Sequence, residues 1–382
     1  MAIVNPFRYT GPVSIDDLID RDAETSDLLR TAAEGNNARL VAPRRFGKTS
    51  LLRRVAGEAL ADGTTSVYVD FFGVVSNAEI AARIETAYVG SLHGPLARWM
   101  DGVRRSLRPS ISVGGGPVPA SAQVSANASR ASLEEWLALP ERVHQRTKRR
   151  VLIVFDEFQD VLAADPNADA VIRSVIQHQG EFASYIFAGS HFGLMNELFA
   201  NPKRAFYQQA RAVALPPLPP EYIAAFIADR FTDTKKDVGR ALSVLLDIGA
   251  GHPQRTMLLA HDVWDLTRTQ TQADEATASA AVDTAVNSLA EEFRAVWSRM
   301  SVAERQIMAA LAGGQGPYSQ AAGQNRRSGT QTRTALNALI ERADVTRYAA
   351  PAGDSYTVVD PLLAEWIRRG RSESRNADRH GG

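Results

Sequence analysis

Val41-Ala42-Pro43-Arg44-Arg45-Phe46-Gly47-Lys48-Thr49-Ser50-Leu51-Leu52 is the stretch on which the fold turns. An apolar run, Ala38 to Val41, leads into it, and a helical pattern, Ser50 to Leu60, leads out. Strand, tight loop and helix in that order are the setting a phosphate-binding loop requires. Such a loop turns successive backbone N–H groups into one concavity, and the following helix adds the positive end of its dipole. Gly47 lets the backbone approach phosphate oxygens and Lys48 reaches the outer phosphates as a point charge. Thr49 offers a hydroxyl to Mg²⁺, with Ser50 the next hydroxyl along. On this reading Ala42, Pro43, Arg44, Arg45, Phe46, Gly47, Lys48, Thr49 and Ser50 form one nucleotide-binding segment. The triplet Gly-Lys-Thr is common by chance, and Ala42 stands where the full pattern has its first glycine. The alternative is a strand–helix turn that happens to contain Gly-Lys.

A second stretch completes the pattern. Val151-Leu152-Ile153-Val154-Phe155 is a continuous apolar run rich in β-branched residues, as a strand buried on both faces of a parallel sheet reads. It ends in Asp156-Glu157, two carboxylates at the carboxyl edge of a strand, where open α/β sheets place ligands. Asp156 suits Mg²⁺, an ion that keeps most of its water shell, and Glu157 is placed to orient or deprotonate an attacking water. An acidic pair that only caps the next helix is the alternative.

Bulk properties remove several function classes. The 382 residues call for two or three domains. The chain carries 43 basic and 43 acidic side chains, so a polyanionic partner would need a local patch. With no cysteine there is no disulfide, thiolate zinc site or thiol catalysis, and the seven histidines show no metal-ligand spacing. The start, MAIVNPFRYT, lacks a signal-peptide pattern, and no apolar run is long enough to span a bilayer. A soluble, cytoplasmic protein with no membrane partner is expected.

Along the chain, Pro12 to Glu34 reads as a short leading segment and a helix. Thr65 to Phe71 reads as a second strand and Asn77 to Tyr88 as a helix. The Gly-, Ser- and Pro-rich segment at about 108–130 reads as an exposed hairpin or mobile insertion, or as a flexible linker. Ser184 to Ala188 is a fourth strand ending in Gly189-Ser190-His191. Ser190 is there a candidate to touch the γ-phosphate or the attacking water, with His191 second. Arg204 and Arg211 precede a fifth strand, Ala212 to Leu215, and either is a candidate arginine finger toward a neighbouring subunit, against a plain solvent-facing role. Pro216-Pro217-Leu218-Pro219-Pro220 then breaks the chain, and the domain boundary is placed there.

Beyond the break the pattern is helical. Gly251-His252-Pro253 opens a helix through Met257 and Trp264; a lid beginning this way makes His252, Pro253 and Arg255 further nucleotide contacts. Ser301-Val302-Ala303-Glu304 is a capping box. A helix from Thr330 to Ile340 and two short strands, Val345 to Tyr348 and Tyr356 to Val359, give the order of a winged helix-turn-helix. The last ten or so residues read as a disordered tail. The domains are thus 1–215, 216–289 for the lid, 290–372 for the winged helix and 373–382 for the tail.

These motifs together resemble the archaeal-type ATPases of the STAND group, within the AAA+-like P-loop superfamily. The resemblance rests on APRRFGKTSLL (Ala42 to Leu52), VFDEFQD (Val154 to Asp160), FAGSH (Phe187 to His191), LPPLPPEY (Leu215 to Tyr222), GHPQRTMLLAHDVW (Gly251 to Trp264) and YTVVDPLLAEWIRR (Tyr356 to Arg369). It implies an α/β, parallel-sheet P-loop ATPase core of ASCE/AAA+ type, a helical lid and a winged helix-turn-helix domain, working as a nucleotide-driven switch. It further implies that Gly47, Lys48, Thr49, Asp156 and Glu157 bind or process MgATP, and it offers Ile15 to Asp22 a place over the adenine ring, against the alternative of a packed amino-terminal helix. Three functions follow. The first is a slow ATPase switch whose winged helix binds a protein partner or a second copy. The second is a DNA-binding ATPase similar to origin-recognition-type initiators, using Arg326, Arg327, Gln331 and Arg333. The third is a nucleotide-dependent scaffold without turnover. Ala42 at the first glycine position is expected to slow turnover while leaving binding intact.

Overall fold

The structure is a computed structural model that describes residues 4–107, 132–268, 271–322, 329–350 and 353–377. The segment expected as an insertion at about 108–130 falls outside these, as do Arg326 and Arg327. The chain gathers into two compact units: Arg21–Ala42 with Lys48–Leu215, and Met1–Asp20 with Pro43–Gly47 and Pro216–Gly382.

Among the described residues the first unit is built on five strands: β1 (Ala38–Val41), β2 (Thr65–Asp70), β3 (Val151–Asp156), β4 (Ala183–Gly189) and β5 (Arg211–Ala214). They form one sheet in the order β2-β3-β4-β1-β5, and every pairing is parallel. All residues of β3 and β4 are buried, whereas β2 alternates and only Val213 of β5 is buried. Helices on both faces cover the central strands, so apolar residues fill both sides there and only one side further out. An aromatic cluster under the sheet joins Phe155, Phe158, Phe187, Phe199 and Phe206, with Phe158 and Phe187 4.7 Å apart between ring centres. The strand order sets β4 between β1 and β3, so the loop after β1 and the acidic end of β3 flank the end of β4.

The second unit is helical. After the proline segment, helices run Pro220–Asp233, Ala241–Gly249, Pro253–Leu266, Glu275–Ser288, Ala290–Arg299, Val302–Ala312, Gly329–Glu341 and Pro361–Ala377. Pro220 itself starts the first of them, because the first turn of a helix needs no N–H from it. The prolines dock on Gly251: Leu218 N–H donates to its carbonyl at 2.9 Å. A Cβ on Gly251, which sits at φ +73°, would meet the Leu218 carbonyl at 2.6 Å. The capping box forms as expected, Ser301 accepting from Glu304 N–H and Glu304 accepting from Ser301 N–H.

Strands β6 (Val345–Ala350) and β7 (Gly353–Val358) pair antiparallel. Both strands reach closer to each other along the chain than the sequence suggests, with Gly353 the first residue of β7 and paired with Ala350. The segments expected as lid and winged helix share one hydrophobic core, running from Ile223 and Phe231 through Val282 and Phe293 to Leu336 and Ile367. The last helix reaches Ala377 and so overlaps the expected tail; Glu365 pairs with Arg368 and Arg369 one turn on, the spacing that supports an exposed helix. Among the described residues no helix is long and apolar enough to cross a membrane.

Candidate functional site

The loop Pro43–Gly47 leaves β1 and delivers Lys48 and Thr49 as the first residues of the helix Lys48–Ala61. Gly47 lies at φ +85°, and a Cβ there would meet nothing within 4 Å. The requirement for glycine is therefore one of backbone conformation, and the space beside it is open. Ala42 is not left-handed; it is fully buried and its N–H donates to the Gly189 carbonyl at 3.2 Å, prolonging the β1–β4 ladder. The residue that does adopt a positive φ before Gly47 is Arg45, at +66°.

Lys48 is the hub of the first unit's polar cluster. Its Nζ donates to Asp156 Oδ1 at 2.9 Å and to Glu157 Oε1 at 2.5 Å. Asp156 is buried, and its second oxygen accepts from Thr49 Oγ1 at 3.0 Å and from the Tyr68 hydroxyl at 2.5 Å. Glu157 Oε2 accepts from Ser190 Oγ at 2.8 Å, Ser190 N–H at 3.2 Å and Gln159 Nε2 at 2.6 Å. Burial pushes both carboxyls up, but the Lys48 charge and the surrounding donors outweigh it and hold each below its ordinary value. Burial, then the neighbouring Asp156 charge, pushes the Tyr68 phenol far up, so it remains a neutral donor. Glu157 precedes a 3-10 turn, Phe158–Asp160, yet makes no capping bond to it. The acidic pair does not cap a helix; it faces the loop lysine.

The sequence-expected residues divide accordingly. Lys48, Thr49, Asp156, Glu157 and Ser190 come together, and Ser50 is buried beside them in the helix. His191 instead caps the helix Phe192–Ala200 by accepting from Leu194 N–H. Arg211 is not brought to the cluster. It is the first residue of β5, paired in register with Ala38 at the amino end of the sheet, and its guanidinium binds Asp27 at 3.0 Å. The strand starts one residue earlier than its apolar residues indicate. Arg204 is likewise engaged, with Asp169 at 3.6 Å and Glu197 at 3.4 Å. Tyr68 and Gln159 were not singled out from the sequence. Tyr68 lies on the half-buried face of β2, opposite Thr65, Val67 and Val69, and Gln159 lies two places after Glu157, but neither position carries a signal of its own.

In the second unit, Phe46 packs edge-on against His252 with ring centres 5.0 Å apart, and Arg45 pairs with Glu292 at 3.2 Å. His252 caps the helix Pro253–Leu266 through Nδ1, which accepts from Arg255 N–H, and Pro253 takes the first helical position. Burial lowers the His252 pKa to about 4. Arg255, only 2 % exposed, forks onto Asp360 with contacts of 2.5–3.1 Å. Asp17 of the turn Ile15–Asp17 binds Arg230, while Ile15 stays exposed. Gln331 and Arg333 are exposed on the helix Gly329–Glu341.

The donor set fits a nucleotide-bound Mg²⁺. Thr49 hydroxyl and an Asp156 oxygen already share a bond, and hard oxygen donors of this kind, few in number, are what that ion takes while keeping its waters. Among the described residues no group of three or more His, Asp or Glu side chains is placed to hold a metal alone. The open space at Gly47 and the buried ammonium next to it fit phosphate oxygens.

No protein-family model matches the chain, and no curated protein matches it by sequence. Solved structures do match. A Walker-type ATPase of Pyrococcus abyssi is similar with a TM-score of 0.68 at 16% identity, over 95% of this chain and 99% of that one. The ORC2 protein of Aeropyrum pernix, in ADPNP–ADP complexes, is similar with a TM-score of 0.55 at 16% identity, over 95% of this chain and 98% of that one. Its ADP form gives 0.51 at 16% identity, over 94% and 96%. At this identity the likeness is one of fold, and it extends over almost the whole of each chain: this protein has the α/β, parallel-sheet fold of the P-loop ATPases.

Proposed function

We propose that the chain is a cytoplasmic, ATP-binding molecular switch that hydrolyses ATP slowly and passes its nucleotide state to a carboxyl-terminal winged-helix domain. The observation that carries this reading is the division of labour within one loop. Lys48 points into a pair of carboxylates, while Arg45 and Phe46, its near neighbours, hold Glu292 and His252 of the helical segment. Phosphates that draw Lys48 off its carboxylates would act beside the same loop whose Arg45 and Phe46 make those two contacts.

Each residue has a definite part in this reading. The loop from Ala42 to Ser50 cradles the phosphates, and Lys48 exchanges its carboxylate partners for phosphate oxygens, releasing Glu157 Oε1. Glu157 then orients and deprotonates water, with Ser190 holding its other oxygen. Thr49 and Asp156 would hold Mg²⁺, which neutralises phosphate charge when bound. His252 and Pro253 are taken as contacts on the nucleotide side of the lid, and Arg211 as a residue that would serve only a neighbouring copy. Family membership in the STAND group, with 1–215 as core, 216–289 as lid and 290–372 as winged helix, belongs to the same proposal.

Phosphate release from ATP by the wild type and by Lys48→Ala and Glu157→Gln tests the enzymatic half. Turnover in the wild type that both variants abolish is expected; equal rates in all three would refute it. ATP binding without release would leave a non-hydrolysing scaffold. The exposure of Gln331 and Arg333 on the helix before the hairpin supports a second reading, a DNA-binding ATPase. Fluorescence anisotropy with mixed-sequence duplex at low salt decides it, and no binding at micromolar protein removes it.

A further inference from the structure

We propose that Gln159 is the positioning residue that keeps Glu157 in its working orientation, and that position 189 is glycine because a side chain there would displace Gln159. The inference rests on the hydrolytic reading of Glu157 given above.

Glu157 sits at φ 49° and ψ 42°, a left-handed conformation that a residue with a Cβ adopts only when its surroundings hold it there. Three groups hold the carboxylate. Lys48 grips Oε1, but its ammonium is the group phosphates would recruit, so that hold is lost when it matters. Ser190 and Gln159 grip Oε2 and are free to stay. Gln159 is 3 % exposed and uses both amide hydrogens, one on Glu157 Oε2 at 2.6 Å and one on Asp160 Oδ1 at 3.0 Å. Asp160 is itself anchored, since its other oxygen accepts from Gly73 N–H at 2.9 Å. The amide is thus a brace between the candidate base and a fixed carboxylate.

The other side of the brace lies against the end of β4. Gln159 Oε1 is buried without a hydrogen-bond partner, an arrangement a plain core side chain would avoid. It sits over Gly189, where an added Cβ would collide with Gln159 Oε1 and with Met195, whose Sδ would lie 2.6 Å away. Gly189 has no positive φ, so space and not conformation demands glycine. Gln159 therefore leaves an acceptor unpaired in order to present its donors to Glu157.

The test uses the full chain with Gln159→Met, which keeps volume and removes both donors, Gly189→Ala, and their combination. Affinity for a fluorescent non-hydrolysable ATP analogue is expected within about two-fold of wild type, while kcat falls by about ten-fold or more. The double variant should lose less than the product of the two single losses, because both changes act on one brace, while the contact with Met195 adds its own cost in either background. Wild-type kcat in Gln159→Met, equal losses in affinity and kcat, or multiplicative losses in the double variant would each overturn the proposal. A readout independent of turnover is the melting temperature of the nucleotide-free protein in the Gln159→Met, Glu157→Gln cycle. Non-additive shifts are expected, and strictly additive ones refute the brace. Coupling in this cycle together with no phosphate release by the wild type would refute the hydrolytic reading alone.

Discussion

Asp360→Ala is expected to be the most damaging single truncation in the helical unit, and Arg255→Met a much milder one, although the two residues form one ion pair. Arg255 is 2 % exposed at its side chain and Asp360 24 %. Removing the carboxylate strands a guanidinium that water cannot reach, and its Nη1 already lacks a hydrogen-bond partner. A broken buried pair of this kind costs about 3–5 kcal/mol. Asp360 also caps the last helix by accepting from Leu362 and Leu363 N–H at 3.0 and 3.3 Å, a contribution of about 1 kcal/mol. The total is about 4–6 kcal/mol. Removing Arg255 instead leaves a carboxylate that keeps both capping bonds and can be hydrated, so the cost is about 1–2 kcal/mol. The double variant should lie near Arg255→Met, and so be more stable than Asp360→Ala alone. At about 2–4 °C per kcal/mol the single variants should differ in melting temperature by several degrees or more. Urea unfolding followed by tryptophan fluorescence measures the ordering, since Trp264, Trp297 and Trp366 report on this unit. Equal losses in the two single variants, or an additive double, would refute the reasoning.

Further predictions follow from single contacts. His252, whose pKa is lowered to about 4, binds a proton more readily in the unfolded chain, where its value is near 6.5. Its contribution is thus intact above about pH 6.5 and is lost as pH falls toward 4, by up to about 3 kcal/mol. Acid melts of His252→Asn, which keeps a capping acceptor, should show a flatter pH dependence over that window, and an unchanged slope would contradict it. Tyr68→Phe removes a donor from Asp156 Oδ2 and is expected to raise several-fold the Mg²⁺ concentration needed for tight nucleotide binding, without altering metal-free binding; titration calorimetry distinguishes the two. Ala42→Gly should leave turnover unchanged and lower stability by up to about 1 kcal/mol, because Ala42 has no left-handed strain to relieve. A faster Ala42→Gly enzyme would show that the missing first glycine does limit this loop.

Much of the site was legible because its carriers are short and local. Lys48 and Thr49 follow a glycine at the start of a helix, and Asp156 and Glu157 end an apolar strand, so spacing along the chain names all four. Burial agrees with the pattern that exposed it: β3 reads as an unbroken apolar run up to Phe155, and all of its residues are buried. Strand ends were harder. Arg211 looks like a residue before a strand, but backbone pairing with Ala38 begins with it, and pairing is a property of the neighbour and not of its side chain. The backbone of Ala42 was illegible for the same reason, because its φ is set by the β1–β4 ladder through Gly189.

The sequence alone determined the strand–loop–helix pattern around Gly47-Lys48-Thr49 and the acidic end of an apolar strand, since both are written in contiguous residues. Only the tertiary structure decided that β4 lies between them and sets Ser190 on Glu157, that Tyr68 and Gln159 close around the two carboxylates, and that Arg255 meets Asp360, 105 positions away. Those pairings depend on strand order and side-chain packing, which bring together residues that nothing in the local pattern connects.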